Sequence, residues 1–354
     1  PLGLPPGRGL LMGIREAIAR VVARQDLTQE EAAAAMEDIV SGAATPAQIA
    51  ALVVGLRMKG ETVEEVAGLA RVMRRVATRV PIDVRAVDTC GTGGDGASTF
   101  NISTVAALVV AGAGVPVAKH GNRAVTSGCG SADLLEALGV PIDLPPDGVV
   151  RCVREAGFGF MFAPRYHPAM KHAMGVRREV GVRTVFNILG PLTNPAGVEA
   201  QLLGVAMPGL GETLARVLGL LGVRRAMVVH SEEGLDEISL AAPTTAWEVV
   251  DGEVRTFQVC PEDVGLLRCR REDLRGGDVA VNRSLAERVL QGERGPTRDV
   301  VLLNAAAALR VAGAVDSLRD GVQLAAESVD SGRAYRVVET LRRLGHALGA
   351  GAGH

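Results

Sequence analysis

The chain has 354 residues, 47% of them hydrophobic and 22% charged, with a formal net charge of −2 at neutral pH. That length predicts two domains, since single cores rarely grow beyond about 250 to 300 residues. Interspersed charges of both signs exclude the broad basic footprint of a nucleic-acid binder, and no run approaches the roughly 20 apolar residues of a membrane span.

The first eleven residues, PLGLPPGRGLL, lack a basic segment followed by a long apolar one, and read as a disordered extension or cloning remnant before Met12. A helical period then runs from Gly13 to Thr78. It restarts three times on a capping box: Thr28 with Glu31, Thr45 with Gln48 (Pro46 taking the first helical position), and Thr62 with Glu65. These segments predict a small all-helical domain over residues 12–79. The stripe Ile49, Leu52, Val53, Leu56 reads as its core or as a subunit contact.

Beyond residue 80 the period changes. RAVDTC, VPVAKHG, FGFMFAP, AQLLGVA and RAMVVHS read as strands, with NISTVAALVVAGAG, SADLLEALG and GETLARVLGLLG as helices between them. That alternation predicts an α/β domain with a mainly parallel central sheet flanked by helices. TAWEVVDGEVRTFQV reads as a hairpin about Asp251-Gly252. HPAMKHAMGVRREVGVRT reads as helix and NILGPLTNPAG as a connection rich in Pro, Gly and Asn. The helical domain is expected to be joined by helices from about 176–194, leaving 80–175 and 195–354 to the α/β domain. Cys90, Cys129, Cys152, Cys260 and Cys269 lack CxxC spacing and read as reduced thiols of a cytoplasmic protein without structural zinc. Lysine occurs only at Lys59, Lys119 and Lys171, which reads as a codon bias but makes each retained lysine worth following.

Ligands of open parallel sheets gather beyond the carboxyl ends of the strands. DTCGTGGDGASTFNIST sits at such an end, and its clustered glycines let backbone N–H groups approach an anion just before a helix begins. The glycine spacing is neither a dinucleotide fingerprint nor a Walker A loop. Asp95 beside a phosphate requires a divalent cation or a ribose hydroxyl to reconcile the two. A second strand end, KHGNRAVTSGCGS, adds the cations Lys119 and Arg123 and the hydroxyls Ser127 and Ser131, so the ligand is expected to carry two separated phosphate groups. Asp236 and Glu237, in LDEISL after another strand, then read as hard oxygen ligands for Mg2+ on a pyrophosphate.

GTGGDGASTFNIST, KHGNRAVTSGCGSADLLEALG, HPAMKHAMGVRREVGVRTVFNILGPLTNPAG, DEIS and RGPTRDVVLLNAAAAL, in that order, resemble the anthranilate phosphoribosyltransferase family. The resemblance implies the nucleoside phosphorylase / phosphoribosyltransferase type of fold, Mg2+ dependence and a homodimer through the helical domain. It also implies transfer of phosphoribose from phosphoribosyl pyrophosphate to the amine of anthranilate, in tryptophan biosynthesis. By position, Gly91, Gly94, Asp95, Thr99, Asn101, Ile102, Ser103, Thr104, Lys119, Asn122, Ser127 and Ser131 would bind phosphoribosyl pyrophosphate. Gly91, Asn122 and Arg177 would contact anthranilate, and Ser103, Asp236 and Glu237 would hold the metal. No catalytic nucleophile or base is expected: displacement at the anomeric carbon needs orientation and leaving-group stabilisation, and an aromatic amine is already unprotonated. Thr126 and Cys129 stand where the family pattern has serine. Two rivals follow from other chemistry. A nucleoside phosphorylase on the same fold would have no evident need for Asp236-Glu237, and a non-catalytic nucleic-acid binder would want the basic stripe that is missing here.

Overall fold

A computed structural model describes residues 13–124 and 128–350, so the reading of residues 1–11 lies outside it. In chain order the elements begin with α1 (Ile14–Val22), α2 (Gln29–Val40), α3 (Pro46–Lys59) and α4 (Val63–Val76). Then come β1 (Val87–Gly91), α5 (Ile102–Gly112), β2 (Val117–Gly121), α6 (Ser131–Ala137), α7 (Pro146–Ala156) and β3 (Phe158–Phe162). They continue as α8 (Ala163–Tyr166), α9 (Lys171–Val180), α10 (Phe186–Leu189), β4 (Ala200–Gly204), α11 (Gly211–Leu220), β5 (Arg225–Ser231), β6 (Thr244–Val250) and β7 (Glu253–Val259). The last are α12 (Val279–Leu290), α13 (Pro296–Val311), α14 (Leu318–Asp330) and α15 (Arg333–Ala350). The chain packs as two units: residues up to Ala77 with His167–Thr193, and Thr78–Tyr166 with the chain from Asn194 onward.

In the first unit, all three capping boxes form. Each threonine Oγ1 accepts the N–H three residues on at 3.2–3.3 Å, and each Glu or Gln returns the bond to the threonine N–H at 2.9 Å. Ile49, Leu52, Val53 and Leu56 are core, none more than 2% exposed. Glu65 does more than cap. Fully buried, it also takes the Leu27 N–H at 2.9 Å and the Lys59 ammonium at 3.0 Å, and Lys59 reaches Asp26 at 2.6 Å. A charge is tolerated there because it is paired and fully hydrogen-bonded.

The second unit holds one seven-stranded sheet in the order β3-β2-β1-β4-β5-β6-β7. Its first five strands are parallel and β6 and β7 are antiparallel. Asp251 and Gly252 make the β6–β7 turn with φ of 48° and 90°, the two positive values a two-residue hairpin of type I′ needs. Helices α5 and α13 are apolar almost all round and buried along nearly their whole length. One expectation is corrected: NILGPLTNPAG is not plain connection, because α10 and a 3-10 turn over Gly190–Leu192 run through it. The Asn187 Oδ1 accepts the Thr184 N–H at 3.0 Å to start that helix, and Pro191 falls in the first turn of the next, where its missing N–H is harmless. Among the described residues no helix is long and apolar enough to cross a membrane.

The topology fixes where a ligand belongs. The chain leaves β1 for β2 on one side, and β4 docks on the other, so the crevice beyond the carboxyl ends of β1 and β4 is a topological switch point.

Candidate active site at the sheet switch point

At that point Gly91 and Gly204, the last residues of β1 and β4, lie side by side. The segment after β5 crosses directly over them. A Cβ on Gly91 would strike the Asp236 carboxylate, and one on Gly204 would strike the Asp236 backbone carbonyl. The Gly93 N–H donates to Asp236 Oδ2 at 2.7 Å, and Gly93 and Gly94 hold φ of 63° and 72°, which L side chains rarely adopt. Asp95 closes the turn by accepting the Ala97 N–H at 3.1 Å, and its carboxyl hydrogen-bonds that of Asp236. Thr99 pairs with Arg275 in an isolated bridge that ties down the far side of the turn.

Helix α5 starts immediately after, and Asn101, its N-cap residue, does not cap it with its side chain. Asn101 Nδ2 instead donates to the Cys129 carbonyl at 2.9 Å, joining the two predicted anion loops. Its Oδ1 is buried with no hydrogen-bond partner. An orphaned acceptor of that kind suits a ligand hydroxyl. The Ser103 N–H donates to Glu237. Ile102 and Thr104 are buried, and Thr104 Oγ1 bonds Ser131 Oγ at 3.1 Å, so these two shape the helix start from beneath. Gly130, just before Ser131, has the backbone of residues 122–124 pressed against it.

The two cations of the second loop behave differently. Lys119 is 1% exposed; its Nζ donates to the Thr89 carbonyl and lies 3.3 Å from Thr89 Oγ1 and 3.4 Å from Ser103 Oγ. Arg123, read from the sequence as a phosphate cation, is instead neutralised by Asp133 at 2.9 Å and Glu136 at 2.8 Å. Both acids stand on α6, the helix that this loop leads into, and so lie within reach of the guanidinium. Asn122 is exposed, its Oδ1 taking the Arg123 N–H at 2.8 Å. Ser127 lies outside the described residues.

Three carboxyls therefore lie close together: Asp95, Asp236 and Glu237. Burial and the Asp95 charge push Asp236 up to about 7. Burial and the Asp236 charge push Glu237 well above the usual carboxylate range, with Lys119 opposing. Below them Asp88, fully buried, is raised by burial to about 6 against the pull of Lys119. It accepts Asn194 Nδ2 at 2.8 Å and the His120 N–H at 3.3 Å. Lys119 is itself lowered by burial, with Asp88 the largest opposing influence. Among the described residues no group of three or more His, Cys, Asp or Glu forms a ready metal cage. The donor set nonetheless suits Mg2+, which takes one or two carboxylates and completes its shell with water and substrate phosphate oxygens; mutual repulsion in this cluster is what such an ion relieves.

Arg177 belongs to the other unit, on α9. It is half-buried where Arg178 is exposed, and burial together with the neighbouring Arg183 lowers it from its ordinary range. Sequence reasoning missed Asp88, Asn194 and Gly204. For Gly204 a signal existed, since a glycine within a strand pattern marks close backbone approach.

The helical bundle domain of a glycosyl transferase family matches residues 15–77, and the a/b domain of that family matches residues 83–335. The anthranilate phosphoribosyltransferase of Symbiobacterium thermophilum is 59% identical over 340 residues, 95% of this chain and 99% of that protein. The chain belongs to the anthranilate phosphoribosyltransferase family. Among solved structures, the anthranilate phosphoribosyltransferase of Thermus thermophilus superposes with a TM-score of 0.87 at 46% identity, covering 93% of this chain and 98% of that one. The Saccharomyces cerevisiae anthranilate phosphoribosyltransferase, solved in complex with PRPP and Mg, gives 0.86 at 27% identity over 94% and 98%.

The raised carboxyls at the switch point have a consequence for stability. Asp236 holds its proton to about pH 7 when folded but only to about pH 4 when unfolded. The native chain thus binds more protons between those values, and unfolding free energy falls as pH rises through that window. Without metal, wild type should lose stability relative to Asp236→Asn between about pH 4 and 7, as read by urea denaturation. A parallel pH dependence for the two proteins would contradict the raised pKa.

Proposed function

We propose that this chain transfers the 5-phosphoribosyl group from phosphoribosyl pyrophosphate to the amine of anthranilate, giving N-(5-phosphoribosyl)anthranilate and pyrophosphate in tryptophan biosynthesis. The observation that carries the reading is the Asp236-Glu237 segment lying across the glycine turn at the switch point. The amine lone pair forms the new N–C bond, the C–O bond to pyrophosphate breaks with its electrons, and the nitrogen then loses a proton. Mg2+, when bound by Ser103, Asp236 and Glu237, neutralises charge on the leaving group.

The remaining roles fall to the chain. Gly91, Gly94, Asp95, Thr99 and the α5 start at Asn101, Ile102, Ser103 and Thr104 hold the pyrophosphate and ribose, with unpartnered Asn101 Oδ1 taking a hydroxyl. Lys119 fixes Ser103 and the β1 end from below, and Asn122, Ser127 and Ser131 belong to the second phosphate loop. Gly91, Asn122 and Arg177 receive anthranilate. A homodimer through the helical unit fits its exposed apolar side chains Val22, Met58 and Met174. Free thiols at all five cysteines fit a reducing cytoplasm. Anthranilate fluorescence should disappear only when phosphoribosyl pyrophosphate and Mg2+ are both present; unchanged fluorescence with all three would refute the assignment.

Arg177 decides the acceptor. Anthranilate carries a carboxylate beside its amine, and a guanidinium fork bonds such a group at two points. Truncating one partner of a desolvated charge pair costs about 2 to 5 kcal/mol, so Arg177→Ala should raise the anthranilate KM by tens-fold or more while hardly changing that for phosphoribosyl pyrophosphate. Arg178→Ala, at an exposed position, should be nearly silent. Equal kinetics in both variants would remove this carboxylate site.

A further inference from the structure

We propose that Asn304 is a positioning residue for the magnesium pair, its carboxamide gripping both backbone polar groups of Ile238 and so fixing the segment that carries Asp236 and Glu237. The proposal rests on the reading of those two carboxylates as the metal site.

From Val300 to Leu309, helix α13 contains only Val, Leu and Ala apart from Asn304. A primary amide with no solvent exposure in such a run must find partners within the protein. Asn304 Oδ1 accepts the Ile238 N–H at 2.9 Å. Its Nδ2 donates to the Ile238 carbonyl at 2.9 Å and to Val300 O, one turn back in its own helix, at 2.9 Å. Residue 238 lies between β5 and β6, outside the sheet ladder, so the side chain does for it what a neighbouring strand would do.

The Ile238 N–H belongs to the peptide that leaves Glu237. Holding it fixes the backbone orientation of Glu237, while the buried Ile238 side chain anchors the same residue in the core. Downstream, the Ser239 N–H is held by Thr244 Oγ1 at 3.1 Å. Asn304 thereby holds the segment that carries both groups before an ion arrives. Residues that orient metal ligands in this way change metal affinity by roughly 10- to 100-fold when replaced.

The test titrates Mn2+ in the presence of phosphoribosyl pyrophosphate, reading water-proton relaxation of the ternary complex, for wild type, Asn304→Leu and the Asp236→Asn/Glu237→Gln pair. Leu keeps the size of Asn and removes the grip. Mn2+ binding weakened about tenfold or more in Asn304→Leu, with the anthranilate KM unchanged, is the expected result. Wild-type Mn2+ binding in Asn304→Leu, when the carboxylate pair variant has lost it, overturns the role of Asn304 alone. Undiminished binding in the carboxylate variant overturns the metal site itself, and this proposal with it. Should Asn304→Leu fail to fold, hydrogen exchange of the wild-type protein decides: strong protection of the Ile238 amide is required, and exchange at an open-loop rate rejects the grip.

Discussion

Replacing Asp236 with Asn and Glu237 with Gln together lowers kcat by roughly two to three orders of magnitude, the usual loss when a preorganised electrostatic stabiliser is removed, and raises the Mg2+ concentration needed for half-maximal rate. Both changes keep shape and remove charge. The new Asn Oδ1 still accepts the Gly93 N–H, so the glycine turn keeps the contact that Asp236 makes now. What is lost is the anionic pair that would hold a divalent ion, whose charge would offset that of pyrophosphate. Stability should move the other way, because the variant no longer confines three mutually repelling carboxyls at one spot. Steady-state rates over a Mg2+ series, beside a melting curve, check both halves. Wild-type turnover at ordinary Mg2+ would take these residues out of the chemistry.

The second large effect lies at Gly204. Gly204→Ala sets a methyl group into the Asp236 backbone carbonyl, and a backbone atom cannot rotate away as a side chain can. Either the end of β4 or the segment over it must shift by about an ångström, and misplacement on that scale costs about 100-fold in rate. Overpacking adds about 1 to 3 kcal/mol of destabilisation. Gly91→Ala meets only the Asp236 carboxylate, which can swing aside, so its stability loss should be smaller although its activity still suffers. Gly209→Ala, with no heavy atom within 4 Å of the new carbon, is the control. Circular dichroism melts and kcat/KM for the three variants rank them; a Gly204→Ala enzyme with normal turnover would mean the crossing segment does not form the site.

The legibility of this chain in its sequence follows from how local each signal is. Capping boxes, the Asp251-Gly252 turn and the alternation of strand and helix are decided within a few residues, and the structure reproduces them. The glycine turn and Asp236-Glu237 stand out in the sequence because backbone cradles and paired acids carry their chemistry locally, and the fold brings the two into contact. Nothing local told that Arg123 would be claimed by Asp133 and Glu136, that Lys119 would be buried, or that Asn194 would reach Asp88. Those outcomes depend on which strand ends the topology brings together. Asn304 shows the same limit: in the sequence it interrupts an apolar run, and only the fold supplies the peptide it holds.

The chain visits its helical unit twice, first through α1 to α4 and again through His167–Thr193, where α9 packs on α3 and α2. During synthesis the first four helices leave the ribosome about ninety residues before the segment that completes their unit, and domains of long chains generally mature as whole units. The nascent helices therefore wait, with the surface meant for α9 uncovered, while β1 to β3 are made. A fragment ending at Ala77 reproduces that waiting state rather than a finished domain, and permutation that joins the two helical segments directly would abolish the wait.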